Sequence, residues 1–551
     1  MNSYPHNIDP AKTNWLNILP LMQDLNVLHI GRDQVRRALI MSGCASVISL
    51  KNRGQEDDPT LRDFSDLCTF ENGSFDVCIV DDMESLSLNK DKMSFSGMQR
   101  TISRLLKNEG VLLIGFLKGP RQFSKKLVTA PLLKASGYQK VLWFLCMPSF
   151  EEPNEIYPAT QGKRQIRRDL KPTSPDGTNL KQAMKYLAKI LLARISAKHN
   201  PLWGTMLMAF KQKSVYPGHG TVADSEYNKT GIKGSELNKY TVWYAKQNSG
   251  KQVGLVYKPG HKSQELVAVC KVCNFPFPRS SMIKREYHIL RLLSNHVDTL
   301  EKQNIVVPLP LFFKTNGVYS FSIETSVSGT PLSEMKGEVW TEEFMEKTVK
   351  KLLLVQLHIQ QSLAQYLKEQ IPRLDSKYFT NTTDASYYYF NDAQRLDGYQ
   401  RFVQHGDFTD VNILYNSASQ SWGIIDWEWT STGFPPLFDV FHLFFSFRFT
   451  QNANRPTNLL DSYYRSFIDT FFCENWFSAY IRGYVYWYCE QIDISTRFVF
   501  EYFMDFLLFL YNKYKIDYKL PEYEEMHRSM LLYALEHRNK FGNYSAKRQK
   551  K

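Results

Sequence analysis

Short apolar runs rich in β-branched residues alternate with helix-like stretches at the start of the chain. They read NVLHIG from Asn26, then ASVISL, FDVCIVDD, a helical SFSGMQRTISRLLKNEG, and VLLIGF. A strand apolar on both alternating sides is buried on both faces, and such strands separated by helices form a parallel sheet. The pattern predicts a doubly wound α/β (Rossmann-like) domain over residues 1–160. After the turn-rich KPTSPDG, the positions Leu180, Met184, Leu187, Leu191 and Ile195 recur at helical spacing, so residues 161–216 read as a basic linker and a helix that either connects the domains or completes the first one.

From residue 217 the period changes. The runs KYTVWYA, QVGLVYK and ELVAVCKV are separated by the turn signals Asn248-Ser249-Gly250 and Pro259-Gly260. A helix, SMIKREYHILRLL, and strands in NIVVPLPLFF and VYSFSIETSV follow. Residues 217–330 therefore read as a small, mostly antiparallel sheet with one inserted helix. Residues 331–551 are largely helical and aromatic, with turn-rich strands around Asp407 and Asp426 and a basic tail.

A chain of 551 residues needs more than one core, and 43% hydrophobic with 22% charged residues excludes a disordered chain. The longest aromatic stretch, Phe498 to Tyr511, carries Glu501 and Asp505, and the N-terminus has no basic start before an apolar run; a cytoplasmic protein without a transmembrane segment is expected. The eight cysteines are scattered, which excludes a disulfide scaffold, and Cys270 with Cys273 lacks the second ligand pair of a zinc site. A net charge of +13 favours anionic partners, a nucleotide among them. Much of it lies in Lys163–Lys171 and the C-terminal KRQKK, with no nucleic-acid module beside it.

The chemistry concentrates in HGDFTDVNILYNSASQSWGIIDWEWTSTGFPPLFD, residues 405–439. Phosphoryl transfer needs a carboxylate to orient and deprotonate the accepting hydroxyl, and oxygen ligands for the magnesium that neutralises the phosphates. Asp407, Asn412 and Asp426 suit these roles, and the spacing Asp-x-x-x-x-Asn is that of a catalytic loop. The apolar ILY and GIID imply two strands joined by a turn at Asn416 to Gln420, which returns Asp426 towards the loop. Each residue taken singly is also an ordinary turn former.

Through H-G-D-x-x-x-x-N-I-L and I-I-D-W-E, residues 220–520 resemble the aminoglycoside phosphotransferase and choline kinase-like superfamily. The resemblance implies an α+β bilobal protein-kinase-like domain using ATP and magnesium. It implies Asp407 as base, Asn412 and Asp426 as metal ligands, His405 as a brace of the loop and Asp439 as a support behind it. Glu428 would sit just outside the metal's ligands.

The same chemistry requires a cation for the phosphates. Lys271, in the strand LVAVCKV, resembles the phosphate-binding lysine of kinases, with Glu286 on the next helix as its expected partner; Lys258 in LVYKPG is the rival. Gly231, Gly234 and Ser235 offer a phosphate-covering turn, or an ordinary glycine turn. The acceptor is expected to be a small-molecule or sugar-type hydroxyl. Trp476, Tyr480, Tyr484, Trp487 and Tyr488 are able to stack on a sugar or quaternary amine, but their helical spacing favours the core.

The first domain looks like a class I S-adenosylmethionine (SAM)-dependent methyltransferase, through VLHIGRD, FDVCIVDD and LLKNEGVLLIG. It departs from that pattern in having only Gly31 in the first turn and Ser49-Leu50-Lys51, without a carboxylate, after the second strand; Asp81 and Asp82 remain at a strand end. SAM binding is expected to be weak or absent. Three functions follow: a phosphotransferase, a methyltransferase alone or fused to it, and a non-catalytic scaffold of pseudokinase type. The pairing of these halves resembles some polysaccharide-modifying proteins.

Overall fold

The computed structural model describes residues 10–13, 15–16, 24–50, 61–62, 64–81, 95–116, 129, 131, 133–147, 155–158, 204–211, 241–245, 251–258, 265–273, 280–315, 320–335, 342–364, 371–379, 398–452, 459–518 and 520–542. Its contacts divide the chain into two compact units, one of residues 1–283 with 311–326, the other of residues 284–310 with 327–551.

The first unit is built on one 12-stranded mixed sheet. Its strands in chain order are β1 (Asn26–Ile30), β2 (Ser46–Ser49), β3 (Phe75–Val80), β4 (Leu106–Phe116), β5 (Lys140–Met147), β6 (Glu155–Pro158), β7 (Gly204–Phe210), β8 (Thr241–Ala245), β9 (Gln252–Lys258), β10 (Glu265–Cys273), β12 (Pro310–Thr315) and β13 (Ser320–Thr325). β2, β1, β3 and β4 run parallel. The period of two sorts their side chains into two cores. Val27, Val77, Ile79, Val111 and Leu113 meet Val35, Ala38 and Leu39 of α1 (Asp33–Met41). Leu28, Ile30, Cys78, Val80, Leu112 and Ile114 meet Met98, Ile102 and Leu105 of α2 (Phe95–Leu105).

The parallel strands do not end the sheet. β7 joins β4 antiparallel, β5 joins β7, β6 joins β5, and β6 pairs with β8 through Glu155↔Tyr244 and Ile156↔Trp243. β8, β9, β10 and β13 continue antiparallel. Ile156, Val256, Ala268, Cys270, Val272, Phe321 and Ile323 extend the same apolar cluster as Val27 and Val77. The boundary expected at residue 217 therefore falls inside one sheet, because a pairing between β6 and β8 leaves no trace in the local pattern of either strand.

Two further differences have local causes. The helix expected through Gly110 stops at Leu105, and β4 begins at Leu106, pairing with Phe75 before the register shifts to Val77↔Val111. Gly110 lets the looped-out Lys107–Glu109 fold back, since a Cβ there would lie 2.9 Å from the Lys107 carbonyl oxygen. Cys270 and Cys273 are three apart on β10, so they point to opposite faces and remain free buried thiols.

The second unit begins with α3 (Ser280–Ser294), whose first turn belongs to the other unit. It has a four-stranded sheet, in the order β11 (Ile305–Val306), β17 (Ser421–Ile424), β16 (Ile413–Asn416), β14 (Thr330–Pro331), and a two-stranded ribbon of β15 (Val403–Gln404) and β18 (Ser431–Thr432). Helices α4 (Glu342–Ala364), α5 (Phe438–Asn452), α6 (Leu459–Phe471), α7 (Trp476–Gln491), α8 (Val499–Lys513) and α9 (Pro521–Glu536) supply the bulk. α5 is apolar nearly all round and buried, as a helix without a polar face must be. Phe438, Phe441, Phe471, Phe503, Phe506 and Phe509 form a continuous ring cluster. Among the described residues no helix is long and apolar enough to cross a membrane. The helix expected over 178–195 lies outside the described residues.

Candidate active site

The loop from His405 to Asn412 connects β15 to β16, and its shape is fixed from below. Asp439, in the first turn of α5, accepts the backbone N–H of His405 at 2.6 Å and of Gly406 at 2.9 Å, and the Gln356 amide of α4 donates to the same carboxylate. Burial pushes the Asp439 carboxyl up to about 7, with the donors pulling down and Asp407 pushing up. Gly406 has φ +77°, and a Cβ would lie 2.8 Å from both the Cβ and the carbonyl oxygen of Trp429; only glycine fits there.

His405 joins the two halves of the motif. Its Nε2 lies 3.1 Å from the Ile425 carbonyl, and its Nδ1 accepts the Asp407 N–H at 3.3 Å, so the proton sits on Nε2. The ring also packs on Trp427 at 4.6 Å. This ties the loop to the end of β17, where Asp426 stands.

Asp407 is held by the residue five positions on. Asn412 Nδ2 donates to the Asp407 carbonyl and to Oδ2, each at 2.9 Å. The amide nitrogen is thereby used, and the Asn412 Oδ1 accepts no hydrogen bond among the described residues, which suits it to a metal. The Asp407 side chain keeps 28% of its exposure, enough to meet a substrate. Burial raises its pKa, but the charges around it, Lys513 foremost, outweigh burial and the repulsion of Asp426, so it stays below the ordinary carboxylate value.

Asp426 follows the hairpin formed by β16 and β17, whose turn runs through Asn416 to Gln420. Its backbone is left-handed, φ 65° and ψ 60°, an uncommon state for a residue with a side chain and one that clusters at functional sites. One oxygen each of Asp426, Glu428 and Glu286 lie within 4.8 Å of one another. Glu286 accepts the Trp427 N–H at 3.0 Å, which seats α3 against the strand end. Hard oxygen donors in this arrangement suit a divalent cation such as magnesium.

Lys271 lies in the first unit, 4% exposed, with its Nζ 3.0 Å from Glu324 Oε1 on β13. Glu324 shares a polar face of β13 with Ser320 and Ser322, an alternation visible in SFSIET. Lys258 ends β9. Gly231, Gly234 and Ser235 lie outside the described residues, as does Asp82. Asp410 turns into the helical core, where the Thr450 hydroxyl donates to it, and burial raises its pKa to about 6. On α7, Tyr488 is fully buried, while the Tyr480 and Tyr484 rings meet at 4.8 Å.

A residue that the motifs did not flag completes the site. Lys513, the last residue of α8, places Nζ 3.9 Å from Asp407 Oδ1 and 4.3 Å from the Trp429 ring. A lysine ending a helix ordinarily serves the helix dipole, and that reading hides it.

At the carboxyl end of the parallel strands, Asp81 Oδ1 lies 2.9 Å from His29 Nε2 and 3.1 Å from the Arg32 backbone nitrogen, while Oδ2 is 2.6 Å from Arg32 Nε. Ser49 Oγ completes the group, 3.0 Å from His29 Nδ1.

No family model matches the chain, and no curated protein matches it. Among solved structures, an aminoglycoside phosphotransferase from Streptomyces rimosus is similar at 14% identity over 48% of this chain and 91% of its own, with a TM-score of 0.28. It has also been solved with ADP and streptomycin. WbdD is similar at 12% identity over 95% of this chain and 91% of its own, with a TM-score of 0.24. Phosphoethanolamine N-methyltransferase 2 from Haemonchus contortus, solved with S-adenosylhomocysteine, is 15% identical over 36% of this chain and 52% of its own, with a TM-score of 0.21. Likenesses this distant carry no argument.

Proposed function

We propose that residues 217–551 form an ATP- and magnesium-dependent phosphotransferase acting on a hydroxyl of a small-molecule or sugar-type acceptor. The observation that carries this is the seating of Asp407: an ionised, part-exposed carboxylate locked by Asn412, on a loop that His405 ties to the strand end bearing Asp426. Asn412 Oδ1 and Asp426 would hold magnesium, with Glu428 and Glu286 beside them, and the bound ion would neutralise charge on the phosphates.

The residues present then have defined tasks. Asp407 accepts a hydrogen bond from the acceptor hydroxyl and takes its proton as the acceptor oxygen bonds to the terminal phosphorus. The bond from that phosphorus to the bridging oxygen breaks, and ADP leaves with its electron pair. Asp439, Gly406 and His405 keep the loop from relaxing, so orientation is established before the substrate arrives.

A screen of candidate acceptors, sugars and polyols first, for magnesium-dependent ATP consumption tests this directly, with Asp407→Asn as the control. Acceptor-dependent turnover that the substitution removes supports the proposal. A folded chain that neither binds magnesium-ATP nor consumes it is a scaffold instead.

A further inference from the structure

We infer that Lys513 is a positioning residue for this phosphotransfer, fixing the Asp407 carboxylate from the side opposite Asn412; the inference rests on the phosphotransferase reading above. The two oxygens of Asp407 have different partners. Oδ2 takes the Asn412 amide at 2.9 Å, whereas Oδ1 faces the Lys513 ammonium at 3.9 Å. That second separation exceeds a hydrogen bond, so the ammonium holds Oδ1 by charge and leaves its lone pairs for an acceptor hydroxyl.

The lysine is built into place. Its side chain is only 6% exposed, and its ammonium lies over Trp429 at 4.3 Å and near Phe509 at 5.9 Å. Trp429 itself abuts Gly406, so the ring that seats the lysine also fixes the loop carrying Asp407. The helix ends at Lys513, and Tyr514–Tyr518 continue as a turn of wider π-helix, an irregularity that recurs at functional sites. A buried ammonium is costly unless an anion meets it, and Asp407 is its ion-pair partner among the described residues. The imidazoles on the neighbouring helices, His442 of α5 and His527 of α9, are buried, and burial pulls each down to about 4, so they do not replace this cation.

The test uses the full chain with magnesium-ATP and water as phosphoryl acceptor, following basal hydrolysis, with magnesium-ADP affinity measured by calorimetry. Lys513→Met keeps the apolar stem on Trp429 and removes the charge. Its kcat is expected to fall roughly 10²-fold, the low end of what one preorganised electrostatic donor contributes. KM for ATP and affinity for ADP should stay within a few-fold, and Lys513→Arg should recover most of the loss. Should Lys513→Met fail to fold, Lys513→Gln takes its place. Wild-type kcat in a folded neutral variant overturns the inference, as does a folded Lys513→Arg no better than Lys513→Met, or a loss expressed wholly in nucleotide affinity. Wild-type ATP turnover that is absent both with water and with every acceptor screened, or indifferent to Asp407→Asn, overturns the phosphotransferase reading itself and this inference with it.

Discussion

The Asn412 side-chain amide donates to Asp407 twice, 2.9 Å to its carbonyl oxygen and 2.9 Å to Oδ2, so the residue five positions along the loop sets the orientation of the carboxylate. The spacing is what the geometry needs. The Asn412 N–H bonds back to the Thr409 carbonyl, and this tight turn brings side chain 412 beneath side chain 407.

That relationship separates two effects of changing Asp407. Asp407→Asn keeps the shape but has no basic oxygen pair, so turnover should drop by about 10²–10⁴, the range for a lost general base. Nucleotide affinity should hold within a few-fold, because the proposed metal ligands are untouched. Acceptor-dependent ATP turnover near the wild-type rate would remove Asp407 from the mechanism. Asp410 would be a poor substitute, its carboxylate being buried and bonded to Thr450.

At Asp426 the backbone complicates the choice of variant. Alanine at φ 65° costs about 1–2 kcal/mol of strain, whereas asparagine tolerates the left-handed region. Both substitutions should abolish magnesium-dependent ATP binding, and Asp426→Asn should do so with an unchanged thermal midpoint. Calorimetry with and without magnesium reads this; an Asp426→Asn chain that binds magnesium-ATP as tightly as wild type sinks the metal assignment.

Gly406→Ala should destabilise the second unit without touching any proposed ligand. The new Cβ meets Trp429 atoms at 2.8 Å and the Phe434 ring at 2.9 Å, and φ is +77°. Left-handed strain of about 1–2 kcal/mol and overpacking of about 1–3 kcal/mol act together. A thermal midpoint lowered by several degrees is the expected result; an unshifted midpoint would show that the loop has room the structure does not give it.

The sequence disclosed what is local. HGD and the Asn five residues later fix a turn, IIDWE fixes a strand end, and the apolar runs of β1 and β3 announce burial on both faces. The partners brought from far away stayed hidden. Glu324 reaches Lys271 only once β13 pairs with β10, and Lys513 reaches Asp407 only once α8 packs beneath the loop. The join of β6 to β8 is of the same kind, backbone pairing between segments far apart in the chain.

Asp81 supplies the last prediction, which concerns both stability and cofactor. In open α/β sheets a ligand sits outside the carboxyl ends of the strands, where Asp81 stands at the end of β3. Its oxygens already meet His29 Nε2, the Arg32 N–H and the Arg32 guanidinium. A ribose hydroxyl or a sulfonium would have to displace a buried, charge-assisted network, and the single Gly31 leaves little close backbone to offset that loss. Full-length protein is therefore expected to show no SAM binding by calorimetry, and micromolar affinity would overturn the expectation. The same network makes a pH signature. Burial pushes the Asp81 carboxyl up, but the hydrogen bond and charge of His29 and the Arg32 guanidinium pull it below its ordinary 3.8. A carboxylate whose folded pKa is lowered stabilises the fold fully above its unfolded value and loses that contribution as pH falls through the folded value. Asp81→Asn should thus cost about 3 kcal/mol at pH 7, as breaking a buried pair does. The gap between wild type and variant should narrow only below the ordinary carboxylate value of 3.8, where the unfolded chain's carboxyl takes up its proton while the folded one still resists it. Thermal midpoints of both proteins measured from pH 7 downwards decide it: a gap that is constant across that range would mean that Asp81 contributes by shape and not by charge.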